Sequence, residues 1–158
     1  MYKKLLIITV LICSLTANAG NININHAEVN YNIFYKNTSA GTMTLTINNV
    51  NNQIIIKTIY DGNFIATLAG KGFREEISYI SNIKNVLKPK KYTYKDNKES
   101  YEVIFNGNNI EISNPRKKYE GIIYDPLYVL LMLMRNYPEV NKSFTVISKK
   151  NLKVYKYK

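Results

Sequence analysis

Apolar and polar residues alternate along most of this chain. Val29, Tyr31, Ile33 and Tyr35 alternate with Glu28, Asn30, Asn32 and Lys36, and Phe34 is the one apolar residue on the outer side. Met43, Leu45 and Ile47 alternate with Thr42, Thr44, Thr46 and Asn48. A period of two belongs to a strand with one face buried and the other wet, so these segments, joined by a turn over residues 37–41, predict a hairpin. The Ile54-Ile55-Ile56 run predicts a strand over 53–60 covered on both faces, which Asp61-Gly62-Asn63 stops. Residues 64–69 suit one or two helical turns. Strands follow at 72–80, 87–94, 100–105 and 109–113, with Asn106-Gly107 as a tight-turn signal. Pro89 cannot donate to a central ladder, so it is expected at a strand start or a sheet edge. A hairpin of 144–148 and 152–157 around Lys149-Lys150-Asn151 closes the chain.

One segment breaks the alternation. From Asp125 to Arg135 the chain reads Asp-Pro-Leu-Tyr-Val-Leu-Leu-Met-Leu-Met-Arg. Asp125 is a good N-cap, Pro126 fits the first helical position, and Asn136 with Pro138 supplies the stop. Positions 127–134 hold no polar side chain apart from the Tyr128 hydroxyl. A helix without a polar face is expected to be buried nearly all round. The fold class is therefore mainly β, a curved antiparallel sheet wrapped around one apolar helix at 126–135.

The first nineteen residues read as an address. Lys3 and Lys4 precede an eleven-residue run, 5–15, that is apolar except for Thr9 and Ser14, and Ala17-Asn18-Ala19 supplies a small-x-small cleavage signal. A membrane-spanning helix needs about 20 apolar residues, more than this run offers. Cys13 raises a lipoprotein anchor as the alternative, but Leu11 and Ile12 stand where that signal wants small residues. Cleavage after Ala19, releasing a chain that begins at Gly20, is the expectation. The organisation is thus a signal peptide over 1–19, a flexible N-terminus over 20–27 that holds the exposed His26, and a single β-rich domain over 28–158. Export places the protein in the periplasm, with secretion as the alternative.

Charge adds less than its size suggests. The formal charge is +11, from 22 Lys and Arg against 11 Asp and Glu, and losing Lys3 and Lys4 with the leader leaves +9. A surplus of this kind attracts phosphates and lipid headgroups. Yet Lys, Asn, Ile and Tyr, all encoded by AT-rich codons, make up nearly half the chain, and Arg, the better bidentate phosphate reader, occurs only at 74, 116 and 135. Genome composition with a solvated lysine surface is the plainer account. The fourteen tyrosines interleaved with lysines, as at 90–95, imitate a base-stacking surface. In an exported protein they are better read as strand residues, and no nucleic acid is expected.

The order of features resembles the exported bacterial family catalogued as domain of unknown function 3108. The resemblance rests on Tyr31-Asn32-Ile33-Phe34-Tyr35, the Thr-rich strand 42–48, Phe73-Arg74-Glu75-Glu76-Ile77-Ser78-Tyr79, Leu87-Lys88-Pro89 before a Tyr-containing strand, and above all Tyr124-Asp125-Pro126-Leu127-Tyr128 opening an apolar helix. It covers most of residues 28–157. It implies a Gram-negative envelope protein with a half-barrel similar to those of lipoprotein carriers, and it carries over no catalytic residue. Members of that family continue with further strands after the basic hairpin. Here an unpaired edge is expected at 152–157, and with it weak self-association or docking of a partner strand.

The residues offer little chemistry. With one His and one Cys, a metal site would have to rely on carboxylates, and no cofactor is expected. No His follows a candidate serine to make a triad. Gly70-Lys71-Gly72 is too short for a phosphate loop. Glu75 and Glu76 cannot form a catalytic pair, because neighbours on a strand face opposite ways. The expected function is a non-enzymatic binding or carrier-type module for an apolar or envelope-derived ligand, lined by Tyr128, Leu131, Met132 and Met134. Lipid, glycan or an envelope protein are the expected partners. A structural interaction protein without a ligand cavity is the alternative, and an envelope hydrolase a more distant one.

Overall fold

The computed structural model describes residues 25–68, 72–114, 116–135, 142–148 and 151–157. Ala17, Ala19 and Gly20, expected to mark a cleavage site, lie outside them together with Cys13. Eight strands form one antiparallel sheet in chain order: β1 (His26–Tyr35), β2 (Thr38–Val50), β3 (Gln53–Gly62), β4 (Phe73–Ile83), β5 (Val86–Asp96), β6 (Ser100–Asn106), β7 (Asn109–Ile112) and β8 (Lys117–Glu120). A short helix, α1 (Phe64–Leu68), bridges β3 and β4. The apolar helix α2 (Pro126–Arg135) follows the sheet, and β9 (Lys142–Ser148) and β10 (Asn151–Tyr157) form a separate two-stranded sheet. The large sheet is open, with β1 and β8 as its edges. A mainly β chain with an open antiparallel sheet packed against one apolar helix is what the alternation predicts.

The turns differ from the sequence reading, and the difference has a local cause. Lys36-Asn37, Asn51-Asn52 and Lys84-Asn85 all hold both residues at positive φ. Two successive left-handed residues match the right-handed twist of a hairpin and close it within two positions. The first turn is therefore Lys36-Asn37, and residues 38–41 belong to β2. The β6–β7 turn falls on Gly107-Asn108, one residue later than the Asn-Gly signal suggests, with Gly107 at φ 64°. The chain enters β1 at His26, so His26 and Ala27 are strand residues. The His26 ring bonds through Nδ1 to Asn48 Oδ1 on β2, 2.5 Å away.

Strand β8 is not legible in the sequence, because Lys-Lys-Tyr-Glu contains one apolar side chain. Its place comes from pairing with β7, Ile110 opposite Tyr119. Pro89 sits inside β5 rather than at its start. Pairing of β5 with β6 begins only at Lys91, and the β4–β5 register slips between Tyr79 and Ile80, beside Pro89. The proline thus lies on a stretch with an open side next to a bulge, where its missing donor costs no ladder bond. Helix α1 is capped by Asn63, whose Oδ1 accepts the Ala66 N–H at 3.1 Å.

The core lies on one face of the sheet. Leu45 and Ile47 on β2, Ile54 and Ile56 on β3, Ile80 on β4, Tyr92 and Tyr94 on β5, Tyr101, Val103 and Phe105 on β6, and Ile110 and Ile112 on β7 form one buried cluster with Leu127 and Tyr128 of α2 and Ile147 of β9. Ile55 is half-buried on the other face, so the isoleucine run has one fully covered side. Helix α2 departs further from expectation. Leu127, Tyr128 and Val129 are buried, Leu130 to Leu133 are half-buried, and Met134 is half-exposed at 51%. The helix packs on β3, β4 and β9, and its fully buried residues lie in its first turn.

Gly41 marks where β1 and β2 are irregular. Its φ is +142°, and a Cβ there would stand 2.2 Å from the Asp61 carbonyl oxygen on β3. Gly41→Ala is expected to destabilise the fold by about 1–3 kcal/mol or more, because backbone rather than a flexible side chain would have to yield. Chemical denaturation measures this, and an unchanged midpoint contradicts the placement.

Candidate functional site

Strand β4 turns an unusual set of side chains inward. Its alternation puts Arg74, Glu76, Ser78 and Ile80 on the core face, and Glu75, Ile77 and Tyr79 on the outer one. Three polar groups on a buried face need partners there. Ser78 Oγ, fully buried, donates to Asp125 Oδ2 at 2.9 Å. The Tyr92 hydroxyl, from the neighbouring position on β5, donates to Glu76 Oε2 at 2.7 Å. Arg74 Nε meets Glu76 Oε1 at 3.1 Å. Glu75, on the opposite face, pairs instead with Lys57, so the two adjacent glutamates do lie on opposite sides of the sheet.

Asp125 joins this polar group to α2. It has no solvent exposure, its Oδ1 accepts the Tyr128 N–H at 2.8 Å, and its carbonyl accepts the Val129 N–H at 3.2 Å. It is the N-cap that the Asp-Pro sequence predicts. Burial pushes its carboxyl up to about 7, against the opposing pull of the Tyr128, Ser78 and Leu127 bonds, and the charge of Glu76 adds to the rise. Tyr92 is also raised, first by burial and then by Glu76.

The expected ligand-lining residues fall into two kinds. Tyr128 is a pillar of the core: its hydroxyl donates to the Leu87 carbonyl at 3.1 Å, and its ring stacks on Tyr124 at 5.0 Å. Tyr124 in turn meets Phe144 edge-on at 5.9 Å and exchanges backbone bonds with Thr145 and Ile147, which fasten β9 beside the helix. Leu131 and Met132 pack half-buried against the core, whereas Met134 points largely to solvent. Tyr128, Leu131 and Met132 share one face of the helix and one cluster, and Met134 stands apart from them. Leu152 and Val154 on β10, which pairs with β9, are exposed.

The sequence reading missed a partly covered stretch of the core face, on which Val29 is the exposed residue. Ala27, Val29, Tyr31 and Ile33 of β1 stand opposite Ile47, Leu45, Met43 and Gly41 of β2, and Met43 stands opposite Tyr60 of β3. Direct cross-strand partners share a face, so these residues line the same side as the buried core. Among the described elements of the large sheet, helix α2 packs mainly on β3 and β4. Val29 is 43% exposed there, and Tyr31, Ile33, Met43 and Tyr60 are half-buried. The alternation in 29–35 showed the face, but only the position of α2 shows that it stays partly covered.

Elsewhere, an open hollow of about 590 Å³ lies at the β5–β6 turn, lined by residues 95–100 and Asn114. Asp96 organises that turn by accepting the Lys98 and Glu99 N–H groups and the Tyr94 hydroxyl. Among the described residues, no group of three or more His, Cys, Asp or Glu side chains is arranged to hold a metal ion, and no helix is long and apolar enough to cross a membrane. No family model, curated protein or solved structure matches the chain.

The raised Asp125 carboxyl has a pH signature. Between its ordinary value of 3.8 and about 7, the native state keeps a proton that the unfolded chain has released, so this group's contribution to stability falls as pH rises through that window. Asparagine can cap the helix without carrying the charge. The stability of Asp125→Asn relative to the parent is expected to rise between pH 4 and pH 7 by on the order of 1–4 kcal/mol. Urea unfolding across that range is the measurement, and parallel curves for the two proteins contradict the assignment.

Proposed function

We propose that the chain is an exported, non-enzymatic binding module of the carrier type. Its ligand is an apolar or envelope-derived molecule held on the partly covered end of the core face, beside α2. The observation that carries this reading is the partly covered apolar stretch of β1 and β2, with Val29 43% exposed on it. Val29, Tyr31, Ile33 and Met43 face the side on which the rest of the sheet buries its core, yet α2 packs mainly on β3 and β4. Tyr31 packs against the same buried cluster as Leu130, Leu131 and Met132, so the stretch is continuous with the half-covered side of the helix through that cluster. Methionine and tyrosine suit a binding face: the thioether adapts its shape, and the ring offers apolar area with a polar tip.

The leader-like N-terminus and the resemblance to domain of unknown function 3108 support an envelope setting. The chemistry supports binding over catalysis. Asp125 is occupied as a cap, and both Glu76 oxygens are engaged by Arg74 and Tyr92. A second reading, a structural partner protein, draws on one observation: among the described residues β10 pairs with β9 alone, and Leu152 and Val154 stand exposed on it. In that reading the edge takes up a partner strand or a second copy through 152–157.

Delipidated protein titrated with an environment-sensitive fatty-acid probe tests the carrier reading. Saturable binding is expected, weakened about tenfold or more by Met43→Glu, since a charge on an apolar binding face opposes an apolar ligand. Absence of saturable binding contradicts the carrier reading, and concentration-dependent sedimentation that Val154→Pro abolishes supports the structural one.

A further inference from the structure

One end of the large sheet exposes aliphatic side chains beside lysines. At this end lie the β2–β3 turn Asn51-Asn52 and the β4–β5 turn Lys84-Asn85. Two-residue turns with both residues left-handed make short, stiff tips. The tips are tied together: the Asn82 N–H donates to the Asn52 carbonyl at 2.7 Å, and Gln53 pairs with Ser81. They form one rim rather than two independent loops.

This rim carries exposed aliphatic side chains beside its turns. Val50, Ile83 and Val86 are 55%, 60% and 54% exposed. All three project from the outer face. Val50 pairs with Gln53, one step out of phase with the buried Ile54, and Ile83 pairs with Val86, three residues beyond the buried Ile80. Nothing in the turn geometry requires an aliphatic residue at these positions.

The charge around them is of one sign. Lys84, Lys88 and Lys90 are exposed, and none forms an ion pair among the described residues. Residues 48–53 and 81–91 contain no Asp or Glu. Farther from the rim the outer-face lysines are matched: Lys57 with Glu75, Lys91 with Glu102, and Lys118 with Glu111. The acids that balance the outer face stop where the aliphatic residues begin.

We propose that this rim docks onto the surface of an anionic phospholipid bilayer. Val50, Ile83 and Val86 enter the boundary between headgroups and acyl chains, and Lys84, Lys88 and Lys90 meet the lipid phosphates. Apolar insertion together with basic attraction is what holds a peripheral protein at such a surface. A free phosphate or an anionic glycan would satisfy the lysines and leave the aliphatic side chains in water. Stiff tips lose little freedom on docking. The surface is separate from the partly covered core face beside α2, because none of these six residues lies on it.

Co-sedimentation with vesicles tests the proposal, using the soluble protein recovered after expression with its own N-terminal segment. Vesicles with about one-third phosphatidylglycerol in phosphatidylcholine are expected to bind about tenfold or more tightly than phosphatidylcholine alone, and added salt should weaken the binding. The triple variant Val50→Thr, Ile83→Thr, Val86→Thr keeps β-branched residues in the strands. The variant Lys84→Asn, Lys88→Gln, Lys90→Gln keeps a turn-compatible residue at 84. Each is expected to weaken vesicle binding about tenfold or more with melting temperature and fatty-acid probe binding unchanged. Vesicle binding that is absent, or equal for parent and variants, overturns the proposal. Displacement by millimolar glycerol phosphate overturns it in favour of a free-anion site, and a rim-dependent protein partner without vesicle binding overturns it in favour of a protein surface.

Discussion

Asp125 lies wholly out of water between the N-terminus of α2 and the middle of β4, and the arrangement of the core face follows from its two oxygens. One accepts the Tyr128 N–H in the first turn of the helix, and the other accepts the Ser78 hydroxyl. A carboxyl in this position is tolerated only when its lone pairs are occupied. That requirement holds the helix start at one register over the sheet. It also explains why β4 turns Ser78 toward the core, while Ile77 and Tyr79 face out. Glu76 sits beside Asp125 on this face, and the Tyr92 hydroxyl and Arg74 satisfy it in turn.

Pinning the helix at its first turn has consequences for both of its ends. The stacked Tyr124 and Tyr128 rings seat the β9–β10 hairpin beside the helix, and Val146 and Ile147 are buried on opposite sides of β9 as a result. From Leu130 on the helix is only partly covered, and its packing on the large sheet falls mainly on β3 and β4. The partly covered apolar stretch on β1 and β2 is therefore a product of where the helix is fixed rather than of weak alternation in those strands. The proposed binding face is made by the part of the core face that lies beyond the main packing of α2.

Most of the strands were legible because the alternation in 29–35, 42–48 and 100–105 is close to regular. The helix was legible because Asp-Pro precedes an unbroken apolar run. What could not be read has specific causes. Strand β8 has one apolar residue and is held by its neighbour. The inward face of β4 is polar, so its period points the wrong way until Asp125 is brought beside it. The expectation that α2 is buried all round came from its composition. Burial was decided by the area of sheet and hairpin available, which the helix sequence does not encode. Of the residues expected to line a ligand, Tyr128 proved to be a core pillar and Met134 largely solvent-facing. The partly covered stretch of β1 and β2 depends on helix placement, which no local pattern reveals.

The central claim is that the Ser78–Asp125 bond fixes α2 on the sheet. A double-mutant cycle of Ser78→Ala and Asp125→Ala, read by urea unfolding at neutral pH, tests it most directly, since the helix-cap loss in Asp125→Ala cancels within the cycle. The account predicts a coupling of about 1–3 kcal/mol between the two positions. Additivity of the two substitutions to within about 0.5 kcal/mol would contradict it.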